Sequence, residues 1–165
     1  MILYIVRHAW AGHFGDPAWP DDFQRPLTEN GKARFCRVVE ALVERGFAPQ
    51  IVATSPLVRC RETAEIIRDV VPNHPRVVAL DELAPAGSVQ ALLEWTLETA
   101  GDLDQVAWVG HAPDVGQLTA ALIGDGAAWF RFAKGAVAAI EFDEALEPGE
   151  GELRWLVTAK LLGCP

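Results

Sequence analysis

Basic residues are scarce in this chain: 14 Lys and Arg stand against 23 Asp and Glu, a net charge of −9. That balance argues against nucleic acid or an anionic membrane as a partner, because both need a basic surface. It does not exclude an anionic substrate, since a few cations gathered in one cleft bind phosphate on an otherwise acidic protein. Long hydrophobic runs are also missing, and no apolar stretch approaches the ~20 residues of a membrane span. The first such run ends after five residues with no basic segment before it, unlike a secretory signal. Cysteine is rare, with only Cys36, Cys60 and Cys164. An odd, widely spaced set is neither a disulfide framework nor a zinc ligand set. Cys36 and Cys60 fall in predicted helices as small core residues, and a cytoplasmic location is expected. Neither Gly110 nor Gly124-Asp125-Gly126 belongs to a G-x-G-x-x-G nucleotide fingerprint. The expectation is therefore a chain with no cofactor and no metal.

What is present is apolar runs that end abruptly in polar chemistry. Ile2-Leu3-Tyr4-Ile5-Val6 runs into Arg7-His8, Val106-Ala107-Trp108-Val109 into Gly110-His111, and Ile51-Val52-Ala53-Thr54 into Ser55-Pro56 with Arg59 close behind. In open α/β sheets ligands bind beyond the carboxyl ends of the strands. Three runs thus deliver two Arg-bearing segments and two His to one place.

The 165 residues suit a single domain with a good core. After the first strand comes a long loop, roughly 8–27, of a length that is usually functional. Thr28 is a suitable N-cap for a helix over about 29–45, closed by Gly46. A strand near 50–54 precedes Ser55-Pro56, read as an N-cap and a proline at the first helical position, opening a helix to Val71. Val77–Leu80 reads as a strand ending at Asp81-Glu82, and Val89, Leu92, Leu93 and Leu97 have helical spacing. A strand over 106–109, a helix from Pro113 to Ile123 and a final strand pair over 136–142 and 153–160 complete the order. Alternating strands and helices imply an α/β fold, a three-layer αβα with a mostly parallel central sheet. The last pair adds an antiparallel edge.

So many polar and charged groups at strand ends are costly to bury uncompensated, and they call for an anion. Arg7 and Arg59 are the natural phosphate clamp, because guanidinium presents paired donors to phosphate oxygens. Arg61 is turned about 200° from Arg59 on a helix and reads as a solvated charge, pairing with Glu65 at most. Thr63, four residues on, shares the face of Arg59. With no metal ligands, His8 in such a pocket points to covalent catalysis through phosphohistidine. Arg7, Arg59 and a protonated His111 would stabilise the equatorial oxygens. A carboxyl group is then needed to protonate the leaving group and later activate water. Asp81 and Glu82 are adjacent and point different ways, so one at most serves. Glu82 is preferred, with a helix cap or plain surface position as its other reading. Arg25 either leans into the pocket mouth to touch substrate or forms a surface ion pair. His13, Trp10, Asp16 and Trp19 shape the loop, Lys134 adds charge near the site, and His74 reads as a surface loop residue.

Three segments together resemble the signature blocks of the histidine phosphatase superfamily, also called phosphoglycerate mutase-like. They are Leu3-Tyr4-Ile5-Val6-Arg7-His8-Ala9, Ser55-Pro56-Leu57-Val58-Arg59-Cys60-Arg61-Glu62-Thr63-Ala64 and Val109-Gly110-His111, in the family's order. The resemblance implies that His8 is the phosphoryl acceptor and that Arg7, Arg59 and His111 complete the phosphate pocket. It also implies a phosphoglycerate mutase-like fold. Arg25-Pro26-Leu27-Thr28-Glu29-Asn30-Gly31 and Glu82-Leu83-Ala84-Pro85-Ala86-Gly87 are similar to segments of the small SixA-type phosphohistidine phosphatases. No large insertion between Thr63 and Val106 builds a lid. Ala9 departs from the Gly usual in the family, which slightly restricts the backbone. The implied substrate is phosphohistidine on a protein. The alternatives are a small phosphorylated metabolite such as a sugar phosphate, or a noncatalytic phosphate-recognition module; mutase and metallohydrolase readings rank lower. A monomer is expected.

Overall fold

A computed structural model describes residues 1–164. The strands are β1 (Ile2–Arg7), β2 (Ile51–Thr54), β3 (Arg76–Ala79), β4 (Gln105–Gly110), β5 (Val137–Glu141) and β6 (Glu152–Val157). The helices are α1 (Glu29–Val43), α2 (Val58–Val70), α3 (Val89–Ala100) and α4 (Asp114–Leu122). One six-stranded sheet has the order β3-β2-β4-β1-β5-β6. The pairs β2·β3, β2·β4 and β1·β4 are parallel, while β1·β5 and β5·β6 are antiparallel. This is the α/β sheet with an antiparallel edge that the alternation of elements implied.

Side chains alternate across a strand, so β1 feeds two cores. Tyr4 and Val6 pack with Phe35, Val38 and Leu42 of α1 and Cys60, Ala64 and Ile67 of α2. Leu3 and Ile5 pack on the other face with Leu92 and Leu93 of α3 and Val115 and Leu122 of α4. Such two-sided burial is why β1, β2 and β4 read as unbroken apolar runs. The central strands end together because Arg7 is in register with Gly110 and Thr54 with Val109.

The segment from 8 to 27 is less irregular than its composition suggests. Ala11 bridges Leu27, and Asp22–Gln24 form a 3-10 turn that Asp21 caps by accepting the Phe23 N–H. Glu62 of α2 accepts the Leu27 N–H at 2.6 Å and pairs with Lys32 at 3.0 Å, pinning the end of this segment. Thr28 caps α1 by accepting the Gly31 N–H at 3.0 Å. A Cβ at residue 31 would collide with the Trp10 carbonyl oxygen, so glycine lets the segment after β1 lie directly on the start of α1.

Some boundaries differ from expectation. Helix α2 begins at Val58, with Leu57 in the cap position and no side-chain cap. The Ser55 hydroxyl contacts the Leu57 N–H only at 3.4 Å and lies 2.9 Å from His111 Nε2 instead. Strand β3 starts one residue early, and Asp81–Leu83 form a 3-10 turn just beyond it. Cys60 is buried as expected and Cys36 is half-buried. None of the helices is long and apolar enough to cross a membrane.

Candidate active site

The parallel pairing of β1 with β4 sets His8 beside His111, the residues that follow the two strands. The His8 N–H donates to the Gly110 carbonyl at 3.0 Å, and the two rings lie 5.4 Å apart between centroids. Strand β2 brings Ser55 alongside, its N–H on the Val109 carbonyl at 2.9 Å. His8, Arg59 and His111 are 6%, 5% and 5% exposed.

The tautomer of His8 follows from its partner. Nδ1 lies 2.8 Å from the Ala9 carbonyl oxygen, which can only accept, so Nδ1 carries the hydrogen and Nε2 keeps its lone pair. Burial above all lowers the pKa of His8 to about 3; His111, Arg59 and Arg7 push the same way, against the Ala9 hydrogen bond. Burial, followed by Arg59, lowers His111 to about 4. The protonated His111 expected from the sequence is thus not what its burial and the neighbouring cations favour: both imidazoles are neutral near pH 7.

Arg7 and Arg59, the expected clamp, are held by backbone. Arg7 Nη1 donates to the Phe132 carbonyl at 2.7 Å, and Arg59 Nη1 to the Asp22 carbonyl at 2.8 Å. Arg59 Nη2 also pairs with the Asp22 carboxylate at 3.0 Å. The Nε atoms of Arg7 and Arg59 are buried and have no partner among the described residues. A buried donor without a partner is costly, and an oxyanion held between both forks would satisfy the two together.

Two cavities adjoin the histidine pair. One, of about 460 Å³, is lined by Arg7, His8, His13, Phe14, Arg25 and Lys134. The other, of about 370 Å³, is lined by Glu82, His111, Asp114 and apolar residues such as Leu83 and Leu118. Arg25 lines the first cavity and is ion-paired to Asp22 at 2.8 Å, but it is buried, so the pair is not the surface one expected as its other reading. Lys134 lies in the same cavity, its pKa lowered by burial and by Arg7 and Arg25. Glu82 is half-buried in the second cavity, on a loop closed tightly enough that a Cβ at residue 87 would collide with its carbonyl oxygen. His13 borders the first cavity; Asp16 accepts the Ala18 N–H in its own turn, Trp19 is exposed, and Arg34 stacks on Trp10 at 3.9 Å. His74 is an exposed loop residue.

The neighbours of Arg59 on α2 are placed as follows. Thr63 does not touch the Arg59 guanidinium; its hydroxyl donates to the Arg59 carbonyl at 2.6 Å and accepts the Ala9 N–H at 3.0 Å, tying the end of β1 to α2. Arg61 is exposed as expected, but no ion pair joins it to Glu65 among the described residues. Asp22 and Asp114 were missed altogether, and Ser55 was read as a helix cap and not as a neighbour of His111. The i,i+3 spacing of Asp22 and Arg25 was the one local signal; nothing local links Ser55 to His111. Burial raises the pKa of the Asp114 carboxyl, against hydrogen bonds from the Ala86 and Asp114 N–H groups. Among the described residues no group of three or more His, Cys, Asp or Glu could hold a metal ion.

Comparison with known proteins adds an independent finding. Residues 3–115 match the family model described as histidine phosphatase superfamily (branch 1). An uncharacterised protein of Picosynechococcus sp. is 40% identical over 125 residues, 74% of this chain and 73% of that one. Phosphohistidine phosphatase SixA of Escherichia coli is 28% identical over 158 residues, 94% of this chain and 92% of that one. The solved structure of the protein histidine phosphatase SixA complexed with tungstate superposes with a TM-score of 0.83 at 27% identity, covering 98% of this chain and 99% of that one. The alpha-ribazole phosphatase of Shigella flexneri has a TM-score of 0.69 at 18% identity, with 96% and 97% covered; it shares the fold.

Proposed function

The chain belongs to the histidine phosphatase superfamily, and on that footing we propose that it removes phosphoryl groups from phosphohistidine carried on a protein, through a covalent intermediate on His8. It is a SixA homologue and a phosphatase; the protein substrate and the part played by each residue are our reading. The observation that carries it is the state of His8. Its Nδ1–H is committed to the Ala9 carbonyl, which leaves Nε2 as a neutral nucleophile beside two guanidiniums with unpartnered Nε–H groups.

In the first step Nε2 attacks phosphorus and the phosphorus–nitrogen bond to the substrate imidazole breaks, with a proton delivered to the departing nitrogen. Arg7 and Arg59 hold the equatorial oxygens. His111 enters neutral, and the bound phosphoryl group favours its protonated form. In the second step water attacks the phosphohistidine, a carboxylate takes its proton, and phosphate leaves with His8 restored. Glu82 is the assigned carboxyl for both transfers, from the cavity it shares with His111.

A protein substrate fits the open site: the connections between Thr63 and Val106 are a strand, a short turn and one helix, with no insertion over the pocket. One observation favours a small phosphorylated metabolite instead. Arg25 and Lys134 place extra positive charge in the cavity that His8 lines, suited to a second anionic group. Turnover of a phosphohistidine-bearing carrier protein, set against sugar and alkyl phosphates, decides between the two. Preference for the carrier supports our reading and the reverse defeats it. Acid hydrolyses phosphohistidine, so the intermediate is trapped in alkali with a labelled donor; label at His8 is expected. Tight vanadate binding with no release from an aryl phosphate would instead make the chain a recognition module.

A further inference from the structure

Asp22 is the residue that neither the proposed chemistry nor the fold fully uses. One carboxylate oxygen lies 2.8 Å from Arg25 Nε and the other 3.0 Å from Arg59 Nη2, while its carbonyl oxygen accepts Arg59 Nη1–H at 2.8 Å. Both terminal nitrogens of Arg59 are therefore held by one residue of the 3-10 turn, and Nε is the nitrogen left without a partner. Two buried guanidiniums would repel each other here without an anion between them. Partial burial works against ionisation of Asp22, yet hydrogen bonding to Arg25 and the charge of Arg59 hold its carboxyl below the ordinary value. It stays an anion and is no proton donor.

We propose that Asp22 is a positioning residue of the phosphate clamp: it fixes the guanidinium plane of Arg59 from the segment between β1 and α1, reserving Nε–H for the substrate oxyanion. The proposal rests on the reading of Arg59 as a phosphate ligand. It makes that segment part of the binding machinery, because the turn at 22–24 cannot lift without releasing Arg59 and Arg25 together.

The test uses 4-nitrophenyl phosphate turnover and orthovanadate binding by the full chain. Asp22→Ala should lower kcat/KM at least tenfold and weaken vanadate binding. Asp22→Asn, whose amide oxygen still accepts a hydrogen bond, should recover part of the loss. In an Arg59→Ala background, Asp22→Ala should cost less than threefold, because its partner is gone; a role in folding the loop alone would reduce activity by its full factor there too. Unchanged turnover, tighter vanadate binding by Asp22→Ala, or losses that multiply in full would each overturn the proposal. Where Asp22→Ala fails to fold, the near-isosteric Asp22→Asn carries the same comparison. A wild-type chain that neither turns over the aryl phosphate nor binds vanadate would instead overturn the clamp itself.

Discussion

The two cavities beside the histidine pair carry opposite charge. The one that His8 lines is bordered by Arg7, Arg25 and Lys134, and the one that His111 lines by Glu82 and Asp114. On the proposed mechanism a phosphoryl group would be drawn to the first, and a departing nitrogen or oxygen that needs a proton would be served from the second. Segregation matters because a carboxylate placed among the cations would compete for them and lose its own proton, as the lowered pKa of Asp22 shows. Asp114, on the other side, is pushed the opposite way by burial. On that reading, holding the anion and moving the proton fall to different sides of one pair of rings.

Substitutions on either side of the ring pair test this division. His8→Ala should abolish turnover and labelling, since no other group on the cationic side replaces Nε2; residual labelling at another site would end the assignment. Arg59→Ala should lower kcat/KM by about 10²–10³, the scale of losing an oxyanion donor, with vanadate binding weakened in parallel. On the acidic side, Glu82→Gln should lower turnover of alkyl esters by about 10²–10⁴ and of phosphoramidates far less, because nitrogen is the better leaving group. Equal losses on both substrates would remove Glu82 as the acid and leave Asp114 as the carboxyl to test next. Arg61→Ala, exposed and outside both cavities, should change activity less than about twofold, within the usual range for surface substitutions.

Acid should also separate the histidines from the rest. Their folded pKa values, about 3 for His8 and about 4 for His111, lie below the unfolded value of about 6.5. The unfolded chain then binds more protons as pH falls through 6.5, so stability declines from there toward the folded values, by at most about 1.4 kcal/mol per pH unit for each ring. Thermal melting from pH 7 to pH 4.5 should show that decline, and saturating vanadate should reduce it. A melting temperature flat over this range would contradict the burial of the pair.

Much of the site was legible in the chain. Apolar runs broken by Arg7-His8 and Gly110-His111 marked strand ends, and a parallel sheet puts such ends side by side. Thr28 announced the start of α1 through local capping chemistry. Misreadings arose where a local donor or acceptor had a remote alternative. Ser55 has the form of an N-cap, but its hydroxyl lies against His111, 56 residues away. Thr63 does bond to Arg59, through its carbonyl, but it also ties down Ala9 across 54 residues, which its place in the sequence does not announce.

Residue order and hydrophobic pattern were enough to set the layered α/β fold and the strand ends that place His8 beside His111, because burial on both faces and parallel pairing leave few other arrangements. The tautomer of His8, the charge state of His111 and the grip of Asp22 on Arg59 were decided only in three dimensions. Each depends on which of several competing polar partners comes within about 3 Å once the solvent is gone, and spacing along a chain does not measure that distance.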